Sequence, residues 1–162
     1  MELGITIPLQ KFLGLRRPEP GTCPDPFFCW EVHRQKLGSG RIVMLAMNAS
    51  NRFVTVTSMT AADWKRWQGV CVQAICDSLA ISGFPQGDIG TYLAAAGAIE
   101  RRESGRPQWE GIEVTRTHGR SPVGYMNRLV DHMWLDEPDS QLSLWADTCH
   151  RLNNGGVAKV PS

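Results

Sequence analysis

The sequence predicts an α+β fold: a small antiparallel sheet, built as a three-stranded meander plus one or two further strands, packed with three to four helices mainly on one face. Three observations predict it. Strand signals follow one another closely between residues 27 and 58, separated by short turn signals. The clearest helical periodicity comes directly after them, between Thr60 and Gly83. The 162 residues carry 42% hydrophobic and 20% charged side chains, the composition of one folded domain with a core of its own.

Taken in order, Ile5–Ile7 reads as a short strand, and Pro8 opens a helical turn through Leu9, Phe12 and Leu13. Residues 16–26 hold Pro18, Pro20, Pro24 and Pro26, which fix φ and remove backbone donors, so this stretch is a loop. Phe27–Arg34 is a strand and Gly38-Ser39-Gly40 a turn. Arg41–Met47 is almost wholly apolar, the pattern of a strand buried on both faces. Asn48-Ala49-Ser50-Asn51 fits a hairpin loop, and Phe53–Ser58 alternates, with Val54 and Val56 on one face and Thr55 and Thr57 on the other. These segments form the meander, with Arg41–Met47 in the middle.

Thr60 and Asp63 have the spacing of a capping box, with Asp in the usual place of Glu. Trp64, Trp67, Cys71, Ala74, Ile75 and Leu79 then share one helix face, and Gly83 stops the helix. A shorter helix runs from about Gln86 to Ala96 and ends at Gly97. Ala98–Arg102 and Ile112–Thr117 read as strands joined by a loop around Gly105-Arg106-Pro107. Ser121-Pro122 starts a helix whose stripe is Val123, Met126, Val130 and Met133 or Trp134. Ser140 caps a last helix holding Leu144, Trp145, Cys149 and Leu152. The expected organisation is one domain over residues 1–152 with a flexible tail over 153–162. Trp64, Trp67, Ile75 and the Arg41–Met47 strand are its expected core.

Composition narrows the function. A net charge of +1 weighs against a dedicated nucleic-acid binder. The longest apolar run, near Ile42–Met47, is far short of a membrane span, and Met1–Thr6 lacks the pattern of a signal peptide. The five cysteines include no Cys-x-x-Cys pair, which argues against a disulfide framework or a zinc ribbon and for reduced thiols in a cytoplasmic protein. No motif calls for a cofactor or a metal. Gly38-Ser39-Gly40 lacks the helix that a phosphate loop requires, and His132 with Asp136 is a single ordinary pair. No Cys, His or Ser arrangement marks a catalytic nucleophile.

Two constellations are candidate binding sites. The first comprises Trp30, His33, Arg41, Asn48, Asn51 and Arg52, with Arg120 and Asn127 from the late helix. Antiparallel geometry places Arg41 near one turn, close to His33. It places Asn48 and Arg52 near the other turn, close to the late helix. Arginine forks and asparagine amides suit anion or carboxylate recognition. The competing reading is structural: Asn48 and Asn51 shape the turn, Arg52 pairs with an acid, and Asn127 bonds a backbone edge. The second constellation is Arg101, Arg102, Arg106, Arg116, His118, Arg120 and Arg128 around Trp109, a basic–aromatic mixture that suits a phosphate backbone. Glu100, Glu103, Glu110 and Glu113 are interspersed, which favours a self-paired surface. Asp131, Asp136, Glu137, Asp139 and Asp147 follow and make the charge bipolar.

From Trp30 to about Met133 the sequence resembles an uncharacterised bacterial family catalogued as a domain of unknown function. The residues that carry the likeness are Trp30, Arg41 to Asn48, Arg52 to Val56, Tyr92-Leu93, Gly97, Arg120-Ser121 and Asn127. The family has His directly after the Trp, where this chain has Glu31, with His33 two positions on. Residues 103–113 read as an insertion and 136–162 as an extension. The resemblance implies a shared fold and no activity.

The predicted function is a non-enzymatic interaction or regulatory protein binding a macromolecular partner, above all a protein, in the manner of an antitoxin or a phage-type inhibitor. The first alternative is a nucleic-acid-associated protein using the Arg101 to Arg128 segment. The second is a small anion- or ligand-binding enzyme around Asn48, Arg52 and Asn127.

Overall fold

The computed structural model of the chain describes residues 1–103, 105–117, 121–130 and 141–154. The centre of the fold is β3 (Ile42–Asn48), flanked antiparallel by β2 (Cys29–Lys36) and β4 (Val54–Ser58), with Val32 opposite Ala46 and Leu45 opposite Val56. This is the predicted meander, and β3 is buried on both faces as its unbroken apolar run requires. Val43, Leu45 and Met47 enter one cluster while Met44 and Ala46 enter another.

The sheet is mixed rather than antiparallel throughout. β1 (Glu2–Ile5) lies against β2 in parallel, and β7 (Glu113–Arg116) lies parallel to β1, giving the order β4-β3-β2-β1-β7. Helix α1 (Ile7–Leu13) and the proline-rich loop provide the long crossover that a parallel pair needs. Neither the pairing nor its direction leaves a trace in local periodicity.

A second correction concerns the region after residue 98. β5 (Ile99–Glu103) and β6 (Arg106–Glu110) form a separate two-stranded hairpin that turns at Gly105, whose φ is 77°. Arg106 and Pro107 therefore lie in a strand rather than in a loop, with Pro107 opposite Arg102. Both strands of a two-stranded ribbon are edges, so a proline whose missing N–H faces outward costs no ladder bond. The 112–117 segment pairs with β1 instead of with β5.

The third correction is that helices cover both faces of the sheet. One face carries α2 (Ala61–Trp64), α3 (Trp67–Ile81) and α4 (Gln86–Ala95) over Leu3, Ile5, Trp30, Val32, Met44 and Ala46. The capping box forms as read: Thr60 Oγ1 accepts from the Asp63 N–H at 3.2 Å, and Asp63 Oδ2 accepts from the Thr60 N–H at 2.9 Å. The other face carries α5 (Pro122–Val130) and α6 (Gln141–Asn154), which bring Met126, Trp145 and Cys149 onto Val43, Leu45, Met47 and Val54. The end of α6 is fastened by Asn153, buried at 4% exposure. Its Oδ1 accepts the Val54 N–H at 3.0 Å and its Nδ2 donates to the Val54 carbonyl at 2.7 Å, so the amide closes part of the β4 edge as a neighbouring strand would. Ser140 and residues 155–162 lie outside the described residues. No helix among the described residues is long and apolar enough to cross a membrane.

Candidate functional site

The residues of the first constellation fall in separate places. Asn48, at the end of β3, is 1% exposed. Its Nδ2 donates to the Phe27 carbonyl at 2.8 Å, and its Oδ1 accepts the N–H groups of Ser50 at 3.0 Å and Asn51 at 3.3 Å. The amide is thus spent on the chain's own backbone. Asn51 Oδ1 takes the Phe53 N–H at 2.9 Å, which completes the turn. Arg52 occupies the left-handed region, with φ 63°, and its guanidinium lies 5.3 Å from the centre of the Tyr125 ring on α5. The turn does meet the late helix, through a cation–π contact. Asn127 is exposed on that helix. Arg41 is exposed at the opposite end of the sheet, next to the Ile42–Lys36 pair, whereas His33 stands opposite Leu45.

Three residues of the family-like pattern join in one hydrogen-bond chain at the Phe27 carbonyl. The Phe27 carbonyl accepts from Asn48 Nδ2 and, at 2.8 Å, from the Tyr92 hydroxyl, which in turn accepts from Trp30 Nε1 at 3.0 Å. This knot ties the start of β2 to the β3–β4 turn and to α4. It gives Trp30, Asn48 and Tyr92 a structural role.

In the basic segment, Arg101 pairs with Glu110 at 3.0 Å and Arg102 with Glu100 at 3.4 Å, all on exposed side chains. Trp109 leans over α3 at Gly69, where a side chain would meet its ring. The side chain of Arg106 and the whole of Arg120 lie outside the described residues. Between the hairpin, α3 and the β4 edge runs a cleft of about 990 Å³ whose walls include Trp67, Gln73, Asp77 and Trp109, together with Thr55–Ser58 of the edge strand. The register directs the ladder bonds of β4 through Phe53, Thr55, Thr57 and Met59. Val54, Val56 and Ser58 therefore turn their N–H and C=O groups away from β3. Asn153 takes those of Val54. Those of Val56 and Ser58 border the cleft.

Sequence reading missed a different feature. The face of the sheet opposite Trp30 and Val32 is apolar over β3 and β4 but polar over β1, β2 and β7. Glu2, Thr6, Glu31, His33 and Thr115 are all buried there, with Cys29 beside them. α5 packs over β2 and β3. Glu2 Oε1 accepts from Thr115 Oγ1 at 2.9 Å, and Glu2 Oε2 accepts the Cys23 N–H at 3.0 Å. Gly4 leaves room for Glu31, since a Cβ there would meet Glu31 Oε2 at 3.4 Å and the Thr117 backbone at 3.3 Å. The alternation of Cys29, Glu31 and His33 was visible, but period-two polarity reads as a solvent-facing side until a covering helix is known. Glu31 occupies the position where the family resemblance places His. Burial pushes the Cys29 thiol up, reinforced by Cys23 and the charge of Glu2, so it stays protonated at neutral pH.

His33 Nδ1 lies 2.7 Å from Thr6 Oγ1, and burial lowers its pKa below the ordinary 6.5, the Gln35 hydrogen bond opposing and Arg34 assisting. A depressed folded-state pKa favours the fold above 6.5, and that contribution is lost as pH falls through the folded value. Urea midpoints measured from about pH 7 to pH 5 should fall in the parent chain and fall less in His33→Gln. Parallel curves would show that His33 carries none of the pH dependence.

The profile of a domain of unknown function, DUF6933, matches residues 2–159. The chain belongs to the DUF6933 family. The DUF6933 match runs on through α6, so residues 136–159 are part of the family's span and not an extension of it. No curated protein and no solved structure matches the chain.

Proposed function

We propose that this DUF6933 chain is a non-enzymatic binding module for a protein partner, which adds an extended segment along the β4 edge in the cleft beside α3. The observation that carries this reading is the outward N–H and C=O pairs of Val56 and Ser58, which border a cleft walled by Trp67 and Trp109. Strand addition draws affinity from such main-chain groups and specificity from the pockets between them. The side chains bordering the cleft mix Asp63 and Asp77 with Lys65 and Arg66, which suits a polypeptide of either charge better than a phosphate backbone. The internal pairing of Arg101 and Arg102 with glutamates points the same way. An inhibitor or antitoxin-like role is one form such a module takes.

Ser58→Pro tests the reading. It removes an N–H that faces the cleft and spares the ladder to β3, and the extended backbone of Thr57 tolerates a following proline. A native pull-down with the tagged chain, with and without nuclease, should retain a stoichiometric protein that survives nuclease. Ser58→Pro should weaken that complex by on the order of tenfold, the value of one or two hydrogen bonds. Retention of nucleic acid alone, or an unchanged complex with Ser58→Pro, would remove the edge as the binding site.

A further inference from the structure

We propose that Glu2, Cys23 and Cys29 form a binding site for a divalent metal ion of the zinc class. The carboxylate oxygen and the two Sγ atoms all lie within 4.8 Å of one another. Topology brings them together. Glu2 and Cys29 are directly opposite in the parallel β1–β2 pair and point to the same face. Cys23 arrives from the proline-rich loop and is held by its own N–H on Glu2 Oε2 at 3.0 Å. Thr115 Oγ1 fixes the other carboxylate oxygen at 2.9 Å, the kind of supporting hydrogen bond that orients a metal-binding carboxylate. Both thiols also face one oxygen, the Asp25 carbonyl, Cys23 Sγ at 3.3 Å and Cys29 Sγ at 3.6 Å, so they point into the same small space.

The donor set chooses the ion. Two sulfurs with one carboxylate suit a borderline-soft cation, whereas calcium and magnesium take oxygen alone. Binding replaces the two S–H bonds by S–metal bonds and releases the protons to solvent. Geometry also argues against a nucleophilic thiol, because Cys29 is 9% exposed and sits beside a carboxylate. The sequence hid the site because its ligands are not a Cys-x-x-Cys pair and the third comes from another strand.

The test is an anaerobic titration of the reduced full-length chain with Co²⁺, followed by displacement with Zn²⁺. Thiolate-to-cobalt charge-transfer absorption should rise and saturate at one equivalent. Cys23→Ala is the decisive variant, because Cys23 is half-exposed on a loop and its loss spares the core. It should weaken Zn²⁺ binding by on the order of 100-fold or more while the far-ultraviolet circular dichroism stays unchanged. Cys76→Ser, on α3, should titrate like the parent. Absence of the band, an equal band in Cys23→Ala, or a Cys23–Cys29 disulfide that persists with stoichiometric Zn²⁺ under reducing conditions would each overturn the proposal. The assignment stands apart from the cleft at β4, so Ser58→Pro should leave it intact.

Discussion

Asn48→Ala is expected to lower the unfolding free energy by about 3 kcal/mol, read as a shift in the urea midpoint without a change in slope. The side chain is buried and makes three hydrogen bonds, one to the Phe27 carbonyl and two from the N–H groups of Ser50 and Asn51. Alanine removes all three bonds at the tip of the β3–β4 hairpin, each worth about 0.5–1.5 kcal/mol. Asn48→Asp keeps the acceptor but loses the donor to Phe27 and buries a charge, so it should be no better tolerated. Asn127→Ala, on an exposed position of α5, should change stability by less than about 0.5 kcal/mol. Equal small effects at the two positions would free Asn48 for a ligand and contradict the turn-organising role.

Trp145→Ala is expected to cost about 3–5 kcal/mol, the range for removing a large buried aromatic side chain. Trp145 is 2% exposed and packs with Met126 and Cys149 onto Val43, Leu45 and Met47. The loss opens a cavity between α6 and the central strand, and β3 cannot move to fill it because its other face is held by Met44 and Ala46. Thermal unfolding of the variant should remain a single transition at lower temperature. A cost below about 1 kcal/mol, or a separate early transition, would show that α6 is an appendage rather than half of the core.

The two variants mark where sequence reading reached and where it stopped. The turn role of Asn48 was one of the two readings written into Asn48-Ala49-Ser50-Asn51, and the side chain does bond the backbone of the turn, as short polar side chains serve the nearest backbone first. An edge-bonding asparagine was also foreseeable in kind, but the residue that does it is Asn153 and not Asn127. The choice depends on which helix reaches β4, and nothing local encodes that. The pairing of Arg101 and Arg102 with neighbouring glutamates was legible in their alternation.

By itself the sequence determined the elements whose signals are local: the β2–β3–β4 meander, the two-sided burial of Arg41–Met47, the Thr60–Asp63 cap, and the helix beginning at Ser121-Pro122. Each follows from side-chain period, backbone restriction or a hydrogen bond spanning a few residues. Tertiary structure alone decided that β1 inserts in parallel between β2 and β7, that a second helical layer closes the other face, and that Glu2 meets Cys23 and Cys29. Those outcomes join residues far apart in the chain, and they are fixed by which apolar surfaces bury one another, a property of the assembled layers and not of any segment.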